Sequence, residues 1–265
     1  MMLSASLLSL YCMLLPLFCY CQKLRFHRSN LTVVLARFKE DMHEQLWLPY
    51  HNISHIIYNR GESIPESYGY KVIEEFENVG RESFIYLRYI VENYDVLSDL
   101  TVFTQAHPPG QTTQKKFAEV IIQLHHGTVR LRPECDGFSW LFDYTIPVSD
   151  ERMKEMYSVV QTNPYKTLMN FNLKEGSLAP VQRPMYSPGG SFIVTRAVIR
   201  RNPLSYYMRI VKSPLLNTLN DPPLGHILEW AWNDVFHSKC ATDEKFICYG
   251  LTRTRTSAWL RGWWN

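Results

Sequence analysis

Residues 31–36, Leu31-Thr32-Val33-Val34-Leu35-Ala36, form a short apolar run that ends abruptly at Arg37. Its length and β-branched content read as a buried strand. A second strand is expected from Ile53 to Tyr58, closed by the turn signal Asn59-Arg60-Gly61, and a third from Lys71 to Phe76. Between Glu82 and Tyr94 the pattern changes: Phe84, Leu87, Val91 and Tyr94 recur at helical spacing. Leu100 to Thr104 returns to strand character. Alternation of this kind predicts an α/β fold with a mostly parallel central sheet flanked by helices in a single domain.

The second half is more irregular. Helices are expected over Phe117 to Leu124 and over Val148 to Val159, the latter with Ser149 as cap and Asp150 and Glu151 in its first turn. Asn202-Pro203 marks another helix start. The clearest helix follows Asp221-Pro222-Pro223, where Leu224, Ile227, Leu228, Ala231, Trp232 and Val235 make one apolar stripe. His226, Glu229, Asn233 and His237 face the other way.

At the amino end, Leu3 to Cys21 carries no charged side chain, and Lys23, Arg25, His27 and Arg28 follow at once. Such a segment is a signal peptide or a signal-anchor. Pro16 and the small residues near Cys21 favour cleavage, whereas the lack of Lys or Arg before Leu3 opposes it. The expected organisation is a leader over 1–21, a short stem over 22–30, the α/β domain over 31–240 and an aromatic, basic tail over 241–265. The chain is expected to be secreted, or to lie in the Golgi or endoplasmic reticulum lumen, and to touch a membrane only through an uncleaved leader. A lumen gives meaning to the sequons at Asn30 and Asn52. Beyond the leader three cysteines remain, of which Cys240 and Cys248 close a short loop and are the preferred disulfide pair. Their spacing does not suit zinc.

Apolar residues make up 46% of the chain, which excludes a disordered protein. The net charge of +3 is small and scattered, which argues against nucleic acid as a partner.

In open α/β sheets, ligands bind beyond the carboxyl ends of the strands. The polar residues there are Arg37 to Asp41, Asn59 to Gly61 and Gln105. Asn78-Val79-Gly80-Arg81-Glu82 opens a helix: Asn78 suits a cap, Gly80 lets backbone approach a ligand, and Arg81 suits a bidentate phosphate contact. The plainer reading of the same residues is a capped helix with Arg81 and Glu82 solvated. Tyr186-Ser187-Pro188-Gly189-Gly190 is a Gly-rich turn that lacks the P-loop lysine; it either lines a substrate groove or is only a tight turn. Glu229, on the polar face of a rigid helix, is either a general base or a solvated carboxylate.

Six segments, Val33 to Asp41, Ile57 to Gly61, Asn78 to Asp95, Leu100 to Gln105, Tyr186 to Arg201 and Gly225 to Phe236, resemble in this order the uncharacterised family called domain of unknown function 3431. NVGRESFIYLRYIVENYD (78–95) and YSPGGSFIVTRAVIRRNP (186–203) carry most of the specificity. The layout is also similar to glycosyltransferases of the GT-A type, the nucleotide-diphospho-sugar transferase-like fold. That likeness implies a nucleotide-sugar donor held by Arg37, Asp41, Asn59, Gly61, Asn78, Gly80, Arg81 and Gln105. It implies a glycan or glycoprotein acceptor near Tyr186, Ser187, Gly189, Gly190, Arg196 and His226, with Glu229 as catalytic base. The metal-binding Asp pair of that fold is replaced by Thr104-Gln105-Ala106-His107. No metal ligand is therefore assigned, no other cofactor is expected, and Arg37, Arg81 and Arg196 are expected to supply the positive charge. The alternative is a non-catalytic domain of the same fold that binds a glycan or another protein.

Overall fold

The computed structural model describes residues 30–74, 77–107, 111–131, 136–141, 146–147, 149, 151–152, 154, 185–186, 189–218, 220–236 and 251–253. The strands are β1 (Leu31–Arg37), β2 (Ser54–Asn59), β3 (Val72–Glu74), β4 (Leu100–Gln105), β5 (Val129–Leu131), β6 (Phe138–Trp140), β7 (Ile146–Pro147), β8 (Met185–Tyr186), β9 (Phe192–Thr195) and β10 (Leu251–Arg253). The helices are α1 (Trp47–Tyr50), α2 (Arg81–Asn93), α3 (Gln111–His125), α4 (Arg196–Ile199), α5 (Leu204–Val211), α6 (Pro214–Asn217) and α7 (Pro223–Val235).

Six strands form one mixed sheet in the order β3-β2-β1-β4-β9-β6. The first four are parallel; β9 runs antiparallel to both β4 and β6. The expected α/β domain with a mostly parallel sheet is present, and β9 is the departure from the strand–helix alternation. Its direction shows in the register, where Phe192 stands opposite Phe103 and Thr195 opposite Leu100. The minor strands pair as β5 with β10 and β7 with β8.

Alternation along the strands sorts side chains to the two faces. Val34, Phe103, Phe192 and Val194 face a core shared with α2, α5 and α7. Leu31, Val33, Leu35, Val102 and Ile193 face a second core closed by Leu48 of α1 and by Phe117, Ile121 and Leu124 of α3. The stripe of α7 predicted from sequence, Leu224 to Val235, is buried throughout. In α2 the expected stripe is displaced. Ser83, Ile85, Tyr86, Leu87, Tyr89 and Ile90 are buried, whereas Phe84, Val91 and Tyr94 are only partly so. The helix lies in a trough between the sheet, α5 and α7, so more than one face is covered.

The predicted start of α5 also shifts. Pro203 is the cap residue with extended φ and ψ, and Asn202 donates its side-chain amide to the Val235 carbonyl at 2.6 Å instead of capping. Of the helix predicted from Val148 to Val159, residues 149, 151, 152 and 154 are described; the last three are helical, and the Ser149 hydroxyl accepts from the Arg152 N–H at 3.3 Å. The leader, Ser187, Cys240, Cys248 and most of the tail lie outside the described residues.

Candidate functional site

Parallel pairing brings three strand ends level. Arg37 stands opposite Asn59, and Ala36 opposite Gln105. The chain leaves β1 toward β2 on one side and enters β4 on the other, so β1 and β4 bracket the point where strand order reverses. Such a switch point opens a crevice outside the carboxyl ends. A crevice of about 180 Å³ lies there, lined by Ala36, Arg37, Phe38, Glu40, Arg60, Asn78, Arg81, Glu82, Gln105 and Asn220.

Helix α2 starts at this crevice by an unusual route. Gly80 is the cap residue, with φ 69°. A Cβ on it would come within 2.5 Å of Phe84 Cβ and 2.7 Å of the Leu216 carbonyl. Arg81 follows with φ 54°, a left-handed conformation that a non-glycine residue adopts at a cost of about 1–3 kcal/mol. Asn78 does not cap the helix; its side-chain oxygen accepts from Arg60 Nη1 at 3.0 Å. Arg60 Nη2 also donates to the Arg81 carbonyl at 2.8 Å, so the loop after β2 fixes the start of α2.

Arg81 is the hub. Its Nη1 donates to His226 Nδ1 at 2.6 Å and lies 3.5 Å from Asp221 Oδ1. Its Nε is 3.6 Å from Glu82 Oε2, and its Nη2 is 3.9 Å from Glu229 Oε2. His226 Nε2 faces Asp221 Oδ1 at 2.9 Å, so the ring bridges Arg81 and Asp221. Gly225 packs closely under this side chain: a Cβ there would lie 3.4 Å from Arg81 Cδ and 3.3 Å from Pro222. The expectation of a solvated Arg81 and Glu82 is therefore corrected, because both pack into the contact between α2 and α7.

Glu82 is 6% exposed, and its Oε1 has no hydrogen-bond partner among the described residues. Burial pushes its carboxyl up to about 7; Arg81 opposes the rise, Glu229 adds to it, and its own N–H and Gln105 offset a smaller part. Glu229 is anchored differently. Its Oε1 accepts from the Gly189 N–H at 3.0 Å, so the Gly-rich turn folds onto α7. The neighbouring Gly190 has φ 58°, and a Cβ there would lie 3.6 Å from Glu82 Oε1 and 3.7 Å from Glu229 Cγ. Two carboxyl side chains thus flank one glycine and one guanidinium.

Other expected site residues have structural duties. The Arg37 guanidinium donates to Asn59 Oδ1, to the Glu62 carbonyl at 2.6 Å and to the Glu40 carbonyl at 2.8 Å. Arg37 still lines the crevice, but as a brace between two loops. Asn59 is fully buried, donating to the Glu62 carbonyl and to Glu74, and it does not line the crevice. Gly61 is required by packing, since a Cβ there would sit 1.6 Å from the Phe38 carbonyl. Asp41 is exposed and accepts from the His43 N–H. Tyr186 is buried at 2% exposure, with its hydroxyl accepting from Arg152, so it offers little surface to an acceptor.

Arg196 belongs elsewhere. Because β9 is antiparallel to β4, Thr195 pairs with Leu100, and Arg196 emerges at the amino end of β4. There it binds Asp99 at 2.6 Å and the Leu97 carbonyl, at the end of the strands opposite the crevice. Of the two sequons, Asn52 and Ser54 are both exposed, whereas exposed Asn30 precedes a buried Thr32.

Sequence reasoning placed Glu40, Arg60 and Glu82 in the segments around the crevice but gave none of them a role, and it missed Asp221 as a member of this cluster. Glu40 Oε2 accepts from the backbone N–H of Phe38 at 2.6 Å and of Lys39 at 3.1 Å, occupying the amides that follow β1. The position of Arg60 and Glu40 immediately after strand ends was the available signal. Among the described residues no three His, Cys, Asp or Glu side chains converge as a metal site, and arginines supply the positive charge around the crevice.

A family described as protein of unknown function (DUF3431) matches residues 33–250, and the chain belongs to that family. No curated protein matches it, and no solved structure does.

Proposed function

We propose that this member of the DUF3431 family is a glycosyltransferase of GT-A-like architecture, acting in a secretory-pathway lumen on a glycan or glycoprotein acceptor. The observation that carries this reading is the meeting of Arg81 and Glu229, 3.9 Å apart, beside the crevice at the switch point. A cation for a diphosphate and a carboxylate for a hydroxyl proton are the two groups that sugar transfer from a nucleotide sugar needs. The uncharged run from Leu3 to Cys21 supports the lumen as its compartment.

In this reading the nucleoside diphosphate of the donor lies over Arg60, Asn78 and Arg81. The acceptor approaches from the Gly189–Gly190 turn. Its oxygen forms a bond to the anomeric carbon as the bond from that carbon to the phosphate oxygen breaks. The hydroxyl proton passes to Glu229, held in place by the Gly189 N–H. The electron pair stays with the diphosphate, whose charge Arg81 and Arg60 stabilise.

Incubation with a panel of nucleotide sugars and glycan acceptors, with and without Mn²⁺, tests this by release of nucleoside diphosphate. One donor is expected to turn over, and Glu229→Gln to slow it by about a hundredfold or more. Release no faster than the blank for every donor contradicts it.

One observation favours a non-catalytic binding domain instead. The Arg81 guanidinium already faces Glu82, Asp221, His226 and Glu229, a set that satisfies it without a ligand. Glycan or protein binding unaffected by Glu229→Gln, in a chain that binds no nucleotide, selects that reading.

A further inference from the structure

We propose that Glu82 is a hydrogen-bond donor to the bound diphosphate, so that the crevice takes up one proton with its anion. The inference rests on the reading of the crevice as a diphosphate site and assigns a role that neither Arg81 nor Glu229 fills.

Geometry carries it. Glu82 lies in the first turn of α2 and lines the crevice together with Arg60, Asn78, Arg81 and Gln105. Its side chain is 5% exposed, and Oε1 lacks a hydrogen-bond partner among the described residues. Buried polar atoms are paired in the great majority of folded proteins, so an orphaned carboxyl oxygen at a crevice marks a place where a partner is to arrive. The Glu82 N–H and the Gln105 side chain hydrogen-bond the carboxyl, but neither they nor Arg81, whose Nε stands 3.6 Å from Oε2, give Oε1 a partner.

The surroundings decide which form of the carboxyl meets the ligand. From the loop after β1 come Arg37 and Glu40, the latter bound to backbone amides. From the loop after β2 comes Arg60, from α2 itself Arg81 and Tyr86, and from the 220–221 segment and α7 come Asp221, His226 and Glu229. Burial outweighs Arg81 and holds the Glu82 carboxyl up to about 7, with Glu229 adding to the rise. A diphosphate brings further negative charge to the same place. It disfavours the carboxylate and favours the neutral acid, whose O–H donates to a phosphate oxygen. An ionised Glu82 would instead add its charge to the carboxylates of Glu40, Asp221 and Glu229 against the anion.

The linkage has a definite sign. Below pH 7 the free crevice already holds the proton, and binding requires no uptake. Above pH 7 each bound diphosphate draws one proton from solution, and affinity falls about tenfold per pH unit. Glutamine keeps an N–H donor without the titration.

Inorganic pyrophosphate and a panel of nucleoside diphosphates are titrated into the full chain and into Glu82→Gln from pH 5.5 to 8.5. The ratio of the two affinities cancels the titration of the ligand. The expected ratio is constant below pH 6.5 and moves about tenfold against wild type between pH 7.5 and 8.5. Proton uptake by wild type alone, measured with sulfate in two buffers of different ionisation heat, is expected near one per anion at pH 8. This second measurement covers the case in which Glu82→Gln does not fold. A flat ratio, no uptake, or no binding of pyrophosphate at any pH overturns the proposal. Nucleoside diphosphate binding with a flat ratio overturns it while leaving the transferase reading intact. Pyrophosphate binding with the expected profile, but no nucleotide binding, sustains it while removing that reading.

Discussion

Nη2 of Arg81 lies 3.9 Å from Oε2 of Glu229, although the two residues belong to helices from different halves of the chain. Two glycines stand at this contact: Gly80 turns the chain into α2, and Gly225 packs closely under the Arg81 side chain. At Gly80 the backbone cannot carry a side chain without a clash, and the placement of Arg81 depends on that turn.

Replacement at Gly80 is expected to be costly. An alanine there must hold φ near 69° and push its Cβ against Phe84 and the Leu216 carbonyl. Left-handed strain of about 1–2 kcal/mol adds to overpacking of about 1–3 kcal/mol. Urea unfolding of Gly80→Ala should show a loss of about 2–5 kcal/mol. A loss under about 0.5 kcal/mol, the range of an ordinary surface substitution, contradicts the packing described.

Stability should fall as pH rises through the Glu82 titration. Its carboxyl is raised to about 7 in the folded chain from an ordinary 4.5. Between those values the folded state binds more protons than the unfolded state, so stability decreases with pH across that window and levels off above it. Glu82→Gln removes this term. It is expected to exceed wild type by about 3 kcal/mol at pH 8 and to lose most of that advantage near pH 4.5. Unfolding midpoints at pH 4.5, 6 and 8 check the trend, and parallel pH profiles for the two proteins contradict it.

The Glu40 carboxylate blocks the amides of Phe38 and Lys39 at the end of β1. Glu40→Gln removes a negative charge from the crevice and loosens that clasp. Nucleoside diphosphate affinity should rise by about fivefold, the effect of about 1 kcal/mol for one charge near a solvated site. Titration calorimetry reads it directly. Unchanged or weaker binding means that Glu40 does not compete with the ligand.

Arg196 serves as the control. Its partners Asp99 and Leu97 sit at the amino end of β4, and the ion pair is 41% and 54% exposed. Arg196→Ala should leave nucleotide binding unchanged and cost no more than about 1 kcal/mol of stability. A tenfold loss of affinity would put Arg196 in the site after all.

Much of the fold was legible in the sequence because its signals are local. The runs at Leu31, Ile53 and Leu100 became β1, β2 and β4, and the stripe from Leu224 to Val235 became the buried face of α7. The antiparallel course of β9 was not legible, because pairing partners leave no trace in a four-residue apolar run. That one reversal moved Arg196 to the wrong end of the strands for its expected role. The same limit applied to Glu82. Next to Arg81 in sequence, it reads as half of a solvated pair, and only the arrival of α7 and the Gly189–Gly190 turn buries it. Asn59 and Gly61 were picked out as ligands for the right reason, their place after a strand. Tertiary packing had already committed them to Glu62, Glu74 and the Phe38 carbonyl.

The most direct measurement is titration calorimetry of the full chain and of Arg81→Ala with nucleoside diphosphates and nucleotide sugars, with and without Mn²⁺. Wild type is expected to bind at least one of them, and Arg81→Ala, still folded, to lose about tenfold or more in affinity, the loss of a charge-assisted contact of about 1.5–3 kcal/mol. Absence of binding to every nucleotide, or equal affinity in Arg81→Ala, contradicts a diphosphate site built on Arg81.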